Sequence, residues 1–377
     1  MKTISKNKIS FNQPFVSTKG LSYIEDALSE SNGQYTQKCK LFFDEKYSFE
    51  NTFLTSSCTH ALEMAAILID AKEGDEIIIP SYTFVSSANP FVLRGATVVF
   101  ADSAVDSPNI DADKIEKLIT SKTKAIVVVH YGGVACDMNK IMEIANRHHI
   151  IVIEDAAHSI DAYYKEQPLG SFGHLSAFSF HDTKNISCGE GGMLVINDES
   201  LLKRAELIFE KGTNRAAFVR GDVDKYEWMD IGSSFTMSEI TAAYLFSQLE
   251  ELEEIQTKRK QLWSLYYHLL KPLQDKNYFD LPVLTENSFH NAHLFYIICD
   301  SPFQRQILMK YLSESGIPSS FHYSSLHLSP FYKSKYKGEP LVNADKYAAW
   351  LLRLPLHYYL KQQNIEFITD KIKSFFE

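Results

Sequence analysis

The chain has 377 residues, too many for one ordinary hydrophobic core and about right for two domains of unequal size. Apolar residues make up 45% and charged residues 23%, the mix of a soluble globular protein. The net charge of −9 argues against nucleic acid as a main partner, because a phosphate backbone needs a basic surface. None of the five cysteines falls in a CxxC pair, so neither a zinc knuckle nor a disulfide framework is indicated, and a reducing cytoplasm fits. The opening MKTISKNKISFNQPF has no apolar core and does not read as a secretory signal. No apolar run approaches the ~18 residues of a membrane helix.

In chain order, SSCTHALEMA (56–65) puts small polar residues at the head of a helical pattern, THALEMAAILIDA (59–71). Short β-rich runs follow at 76–82, 96–102, 124–131, 150–156, 176–180 and 192–197. Most are apolar without alternation, as strands covered on both faces are. A second helical pattern, MNKIMEIANRHH (138–149), lies between two of them. This order predicts an α/β fold with a mostly parallel sheet and crossover helices, and ligands at the carboxyl ends of the strands. Residues 198–236 are polar and read as loops with one helix. TMSE (236–239) matches a capping box, and a long helix is expected over about 237–271. One strand-like run (293–300) and a helix near 301–315 follow. The expected division is a large domain over 1–250 and a small C-terminal α/β domain over 251–377.

The strand ends carry the chemistry. Ser57, Cys58 and Thr59 open a helix whose free N–H groups and dipole suit a phosphate, although an ordinary N-cap explains the same residues. In IIVIEDAAH, either Glu154 or Asp155 must face the site if the other faces away, and a buried carboxylate needs a cationic partner. Tyr82 or Phe84 is placed to stack on a planar ligand, although core packing is the commoner use of such rings. Lys184 stands on a loop between two strand runs. A phosphate cradle, an aromatic plate, an acid and a lysine together match pyridoxal 5′-phosphate (PLP): the amine bonds the aldehyde and the acid pairs with the ring nitrogen.

These residues resemble the fold type I PLP enzymes, and more narrowly the DegT/DnrJ family of sugar-nucleotide aminotransferases. The likeness runs from ISFNQPF to LRLPLHYYL. It includes the blocks LTSSCTHALEMAAILID, GDEIIIPSYTFVSSANPFVLRGA, HYGGVACDM, EKGTNRAAFVRGDVDKYEWMDIGSS and NAHLFYI. The resemblance implies that Lys184 is the Schiff-base lysine and proton shuttle, and that Asp155 rather than Glu154 is the partner of the pyridine nitrogen. It places His158 near the ring oxygen, Phe84 over the ring, and Cys58, Thr59 and Ser179 at the phosphate. Ser234, in GSSFTM (232–237), stands where much of the family has an asparagine that reaches the neighbouring subunit's cofactor phosphate. A homodimer with shared sites is therefore implied.

The same resemblance implies the reaction. L-glutamate donates its amino group to C4 of dTDP-4-keto-6-deoxy-D-glucose. The products are 2-oxoglutarate and dTDP-4-amino-4,6-dideoxy-D-galactose, for surface glycan synthesis. Arg215, Arg220 and Lys225 are placed to reach the diphosphate, against an even alternative of a solvated charged loop. Tyr323 and His327, in FHYSSLH, are placed near the sugar, against a buried, hydrogen-bonded histidine as the plainer account. Cys188 reads as packing. HNAH (290–293) lacks a third ligand, so no metal is expected. A dehydrogenase would need G-x-G-x-x-G after the first strand, and GEGG at 189–192 has the wrong spacing. Sugar 3-dehydratases of the family carry histidine where this chain has Lys184. A non-catalytic sensor of PLP or nucleotide sugar would not need the Lys184–Asp155 pair. The gluco epimer, a 3-keto sugar and a UDP sugar remain open alternatives for the substrate.

Overall fold

In the computed structural model the chain is described over residues 9–29 and 33–377. Residues 1–8, on which part of the leader reading rests, lie outside the described residues. The strands in chain order are β1 (Thr52–Thr55), β2 (Glu76–Pro80), β3 (Thr97–Ala101), β4 (Thr123–Val129), β5 (Ile151–Asp155), β6 (Tyr163–Tyr164), β7 (Gln167–Pro168), β8 (Leu175–Ser179), β9 (Gly192–Ile196), β10 (Phe279–Asp280), β11 (Ser288–Phe289), β12 (Phe295–Cys299) and β13 (Leu351–Leu354). Seven of them make the main sheet, in the order β1-β9-β8-β5-β4-β2-β3. The pairs from β3 through β8 are parallel, and β9 runs antiparallel to both its neighbours.

The fold is the α/β type I aminotransferase architecture, and every strand run expected from residue 76 to 197 contains a strand of this sheet. Their residues are buried almost throughout, because helices cover both faces. β1 was not anticipated: TFLT has only four residues and no turn signal ahead of it.

Helices Cys58–Leu68 and Met138–His148 form where the periodicity places them, and Ser57 caps the first by accepting from the His60 N–H. The expected long helix is two, Glu239–Leu249 and Leu252–Asp275. At the break, Lys19 bonds Glu250 at 3.1 Å and approaches Glu251 at 3.8 Å. The capping box is also corrected. Ser238 is the N-cap and accepts from the Thr241 N–H, while the Glu239 carboxylate accepts from the Thr36 hydroxyl at 2.7 Å and the Tyr35 N–H. The polar stretch 198–236 holds two α-helices, Leu202–Phe209 and Arg215–Arg220, rather than one.

β12 pairs with β10 and β13 in a smaller antiparallel sheet, of which the sequence signalled only the central strand. Its two faces serve different cores. Phe295, Ile297, Leu352 and Leu354 pack with residues of the helices Leu252–Asp275 and Gln362–Phe376. Tyr296, Ile298 and Leu351 join the core of the main sheet. The alternation of a strand thus joins the two cores directly.

Candidate active site

The carboxyl ends of β2, β4, β5 and β8 converge with the first turn of Cys58–Leu68. Gly192 allows the approach: a Cβ there would lie 2.3 Å from the Cys58 nitrogen and 2.4 Å from the Ser57 carbonyl carbon. The His60 N–H is spent on Ser57, whereas the Cys58 and Thr59 N–H groups belong to the first turn and have no intrahelical acceptor. The Thr59 hydroxyl meets that of Ser86 at 2.9 Å. Burial holds the Cys58 thiol well above its usual range, so it is no nucleophile here.

β5 separates its two acids by pleat alternation. Glu154 points into the protein and is saturated. Its oxygens accept from the N–H groups of Gly170, Phe172 and Gly173 and from His130 Nε2 at 2.9 Å. His130 Nδ1 accepts the Cys136 N–H, so the proton that faces Glu154 is on Nε2. Asp155 faces the other way. It is 5% exposed, accepts the Ser87 hydroxyl at 2.6 Å and the Ala157 N–H at 3.2 Å, and forms no ion pair within 4 Å among the described residues. Burial raises its pKa, and Ser87, Ala157 and the Lys184 charge offset that only in part. This carboxylate lacks a close cation.

Lys184 lies on the loop after β8. Asn185, buried beside it, donates to Gln256 Oε1 at 2.8 Å and the Asn291 carbonyl at 2.9 Å, and its Oδ1 meets His293 Nδ1 at 2.9 Å. The loop is thereby tied to helix Leu252–Asp275 and to the segment entering β12. The Lys184 side chain is part-exposed while its amine is ringed by protein. Burial lowers its pKa to about 8, against the pull of Cys58 and Asp155, with the charge of Arg353 adding to the lowering.

His158 is buried, and its Nδ1 accepts the Gly132 N–H at 3.2 Å, so Nε2 carries the proton. Nε2 faces the Tyr323 hydroxyl at 3.3 Å. Burial first, and then Lys184, hold its pKa well below the ordinary value, which makes it a neutral donor of fixed tautomer. His293 stacks on it at 4.1 Å, and His322 stacks on Tyr323 at 3.6 Å. The Phe84 ring is 55% exposed and lies 6.2 Å from Tyr323, so it is free to cover a flat ligand. Tyr82 is fully buried and takes the packing role instead. Ser179 ends β8, with its hydroxyl 3.4 Å from the His181 nitrogen.

The structure therefore gathers Ser57, Cys58, Thr59, Asp155, His158, Lys184 and Tyr323 with Phe84 and Ser179 at the strand ends. It does not gather the other sequence candidates. His327 is 2% exposed and closed between Ser81 Oγ at 2.7 Å and Asp345 at 3.8 Å, the setting of a structural histidine. Arg215 pairs with Glu210, and Arg220 pairs with Glu206 and Asp222, on an exposed segment that also carries Lys225. Ser234 is exposed and bridges to Glu210 through its backbone. Sequence reading missed Ser87, Asn185, His293 and His322. Ser87 lies three residues beyond Phe84 at the same strand end, His322 lies beside Tyr323 in FHYSSLH, and His293 closes HNAH, where it is weighed only as a metal ligand. Among the described residues no cluster of His, Cys, Asp and Glu is arranged to hold a metal, and no helix is long and apolar enough to cross a membrane.

The set fits PLP on its own chemistry. It offers free N–H donors for a phosphate, a buried carboxylate short of a cation, an uncovered aromatic ring and an amine held near neutrality.

Comparison with known proteins agrees. Residues 20–373 match the DegT/DnrJ/EryC1/StrS aminotransferase family. The chain is 31% identical to GDP-perosamine synthase of Escherichia coli O157:H7 over 97% of each chain. It is 30% identical to the spore coat polysaccharide biosynthesis protein SpsC of Bacillus subtilis, covering 97% of this chain and 96% of the relative. A Streptococcus pneumoniae protein described as a sugar aminotransferase, solved in PMP and PLP forms, superposes with TM-scores of 0.89 and 0.88 at 25% identity, over 97% of this chain and 98% of its own. The chain thus belongs to the DegT/DnrJ/EryC1/StrS aminotransferase family, with PLP as its cofactor.

Proposed function

We propose that this chain is a sugar-nucleotide aminotransferase of surface glycan synthesis that moves the amino group of L-glutamate to C4 of dTDP-4-keto-6-deoxy-D-glucose. The products are dTDP-4-amino-4,6-dideoxy-D-galactose and 2-oxoglutarate. The observation that carries this reading is the placement of Lys184, its pKa lowered to about 8, with a buried, cation-poor Asp155 beside a phosphate-ready helix turn. The resemblance of the long sequence blocks supports the choice of sugar.

When bound, PLP supplies an electrophilic aldehyde and an electron-withdrawing ring. The Cys58 and Thr59 N–H groups and Ser179 hold its phosphate, and Phe84 covers one ring face. Asp155, set by Ser87, keeps a proton on the ring nitrogen by ion pairing. His158 Nε2 donates to the ring oxygen without adding charge. Lys184 Nζ, in its neutral form, would take the proton from the donor's α-carbon and would later deliver one to C4 of the sugar. With its pKa near 8, on the order of a tenth of the amine is neutral at pH 7, against less than a thousandth for an ordinary lysine, and that share is able to act as base.

The working unit in this reading is a cytoplasmic homodimer. Ser234 would lie at the partner's cofactor phosphate, and Arg215, Arg220 and Lys225 would reach the diphosphate. The exposed apolar side chains of Val219, Trp228, Met229 and Ile231 on the same segment support a covered face there. A second reading keeps the chemistry and changes the nucleotide, because one 31% identical relative is named for a GDP sugar. The deciding test is incubation with glutamate and dTDP-, UDP- or GDP-linked 4-keto-6-deoxy sugars, with the product assigned by NMR. An amine at C4 in the galacto configuration on the dTDP sugar is expected. An amine at C3, the gluco epimer, or turnover only of another nucleotide would replace the specific substrate.

A further inference from the structure

Asn291, Ala292 and His293, at the entry to β12, are buried and bonded to both loops that carry site residues. The Asn291 amide donates to the carbonyls of His158 and Ile160, at 2.7 Å each, and its Oδ1 accepts the His293 N–H at 3.0 Å. The His293 ring stacks on His158 with centroids 4.1 Å apart, and its Nδ1 meets Asn185 Oδ1 at 2.9 Å. Asn185 follows Lys184 directly in the chain. Ala292 makes the turn with φ at 52°, in the left-handed region that a residue with a Cβ rarely adopts. Such a conformation persists only where the surroundings impose it.

One face of helix Leu252–Asp275 imposes it. Gln256 and Arg259 are both buried, three residues apart on that face. Arg259 donates to the carbonyls of Ala292 and His293, at 3.1 and 2.6 Å. Gln256 Oε1 accepts from Asn185 Nδ2 at 2.8 Å, and its own amide donates to the Ile160 carbonyl at 3.3 Å. The polarity of this network is fixed. The Asn291 carbonyl, 2.9 Å from Asn185 Nδ2, can only accept, so the Asn185 amide has one orientation. Its Oδ1 therefore faces His293, and His293 Nδ1 is the donor.

We infer that Asn185 and His293 are positioning residues for Lys184; this rests on the role given above to that lysine. Lys184 has to reach two carbons in turn, one on the donor and one on the sugar, from a loop. A proton transfer of this kind is lost steeply when the base is misplaced by about 1 Å. The Lys184 N–H bonds within its own turn, to the His181 carbonyl at 2.9 Å. The Asn185 side chain instead uses both its donors and its acceptor on groups outside the loop. It thereby ties the backbone at Lys184 to the helix and to the turn that backs His158. Without the His293 donor the Asn185 oxygen is left unmatched in a buried place, and the tie loosens.

The test uses Asn185→Ala, His293→Phe and His293→Asn. Phenylalanine keeps a ring against His158 and loses the donor. Asparagine loses the ring and keeps an N–H near the place of Nδ1. Melting temperature is the folding control, and rates are taken per bound PLP. With L-glutamate alone, the rate of the cofactor-band change should fall about 10- to 100-fold in Asn185→Ala and His293→Phe, with half-saturation little changed. His293→Asn should stay within about threefold of wild type. Independently of turnover, amide hydrogen exchange of the apoprotein peptide that contains Lys184 should quicken about tenfold or more in the first two variants and not in the third, with peptides of β2 and β4 unchanged. If Asn185→Ala does not fold, the two His293 variants decide. A wild-type rate in His293→Phe, an equal loss in both His293 variants, or unchanged exchange of the Lys184 peptide would overturn the assignment. A wild-type protein in which borohydride fixes PLP on another lysine would defeat the role given to Lys184 itself.

Discussion

The carboxyl ends of the main sheet and the polar segment 211–230 both hold charged side chains, and they hold them in opposite ways. At the strand ends the Asp155 carboxylate is buried and the Lys184 amine is ringed by protein, and neither forms an ion pair among the described residues. On the polar segment Arg215 and Arg220 are exposed and already matched to Glu210, Glu206 and Asp222. Folding stability favours the second arrangement and gains nothing from the first. An enclosed charge without a partner is therefore the mark of a ligand, and a paired exposed charge is the mark of a solvated surface.

The sharpest way to break this contrast is to remove the charges. Lys184→Ala should lower turnover by roughly 10³-fold or more while leaving the melting temperature of the apoprotein unchanged or higher. Asp155→Asn should cost roughly 10²-fold or more in turnover and loosen PLP, measured by cofactor release on gel filtration. Its neighbour should behave differently. Glu154→Gln puts an amide donor among backbone N–H donors, so a stability loss of about 3 kcal/mol or more is expected in urea unfolding. Equal effects of the two acids on PLP retention at matched stability would erase the distinction between them.

The pH dependence sharpens the comparison further. Lys184 titrates near 8 in the folded apoprotein and at its ordinary 10.5 when unfolded. Between those values the unfolded chain binds more protons, so apoprotein stability should gain from this group as pH rises from 8 to 10.5. The burial penalty is fully present below 8. Acylation of Lys184, followed by peptide mapping, should have its midpoint near pH 8. The smallest effect belongs to Arg220→Ala, for which melting temperature and the glutamate half-reaction should stay as they are. A rise in KM for the nucleotide sugar alone would support Arg220 as a diphosphate ligand released from its acids.

The sequence made the main sheet legible because buried parallel strands are continuous apolar runs and their ends are where Asp155 and Lys184 fall. It could not choose between Glu154 and Asp155 from the residues themselves, since pleat direction depends on what covers each face. Partners far along the chain were also hidden. Asn185 meets His293 across 108 positions. The capping box failed for a related reason: Glu239 found better donors at Tyr35 and Thr36, some 200 residues earlier in the chain.

Borohydride reduction of the PLP-loaded protein, followed by peptide mass mapping, is the most direct measurement of which side chain carries the cofactor. The cofactor mass should be fixed on Lys184, with the visible absorption band lost in step. Label on another lysine, or a protein that takes up PLP and retains no label after reduction, would contradict the role given to Lys184.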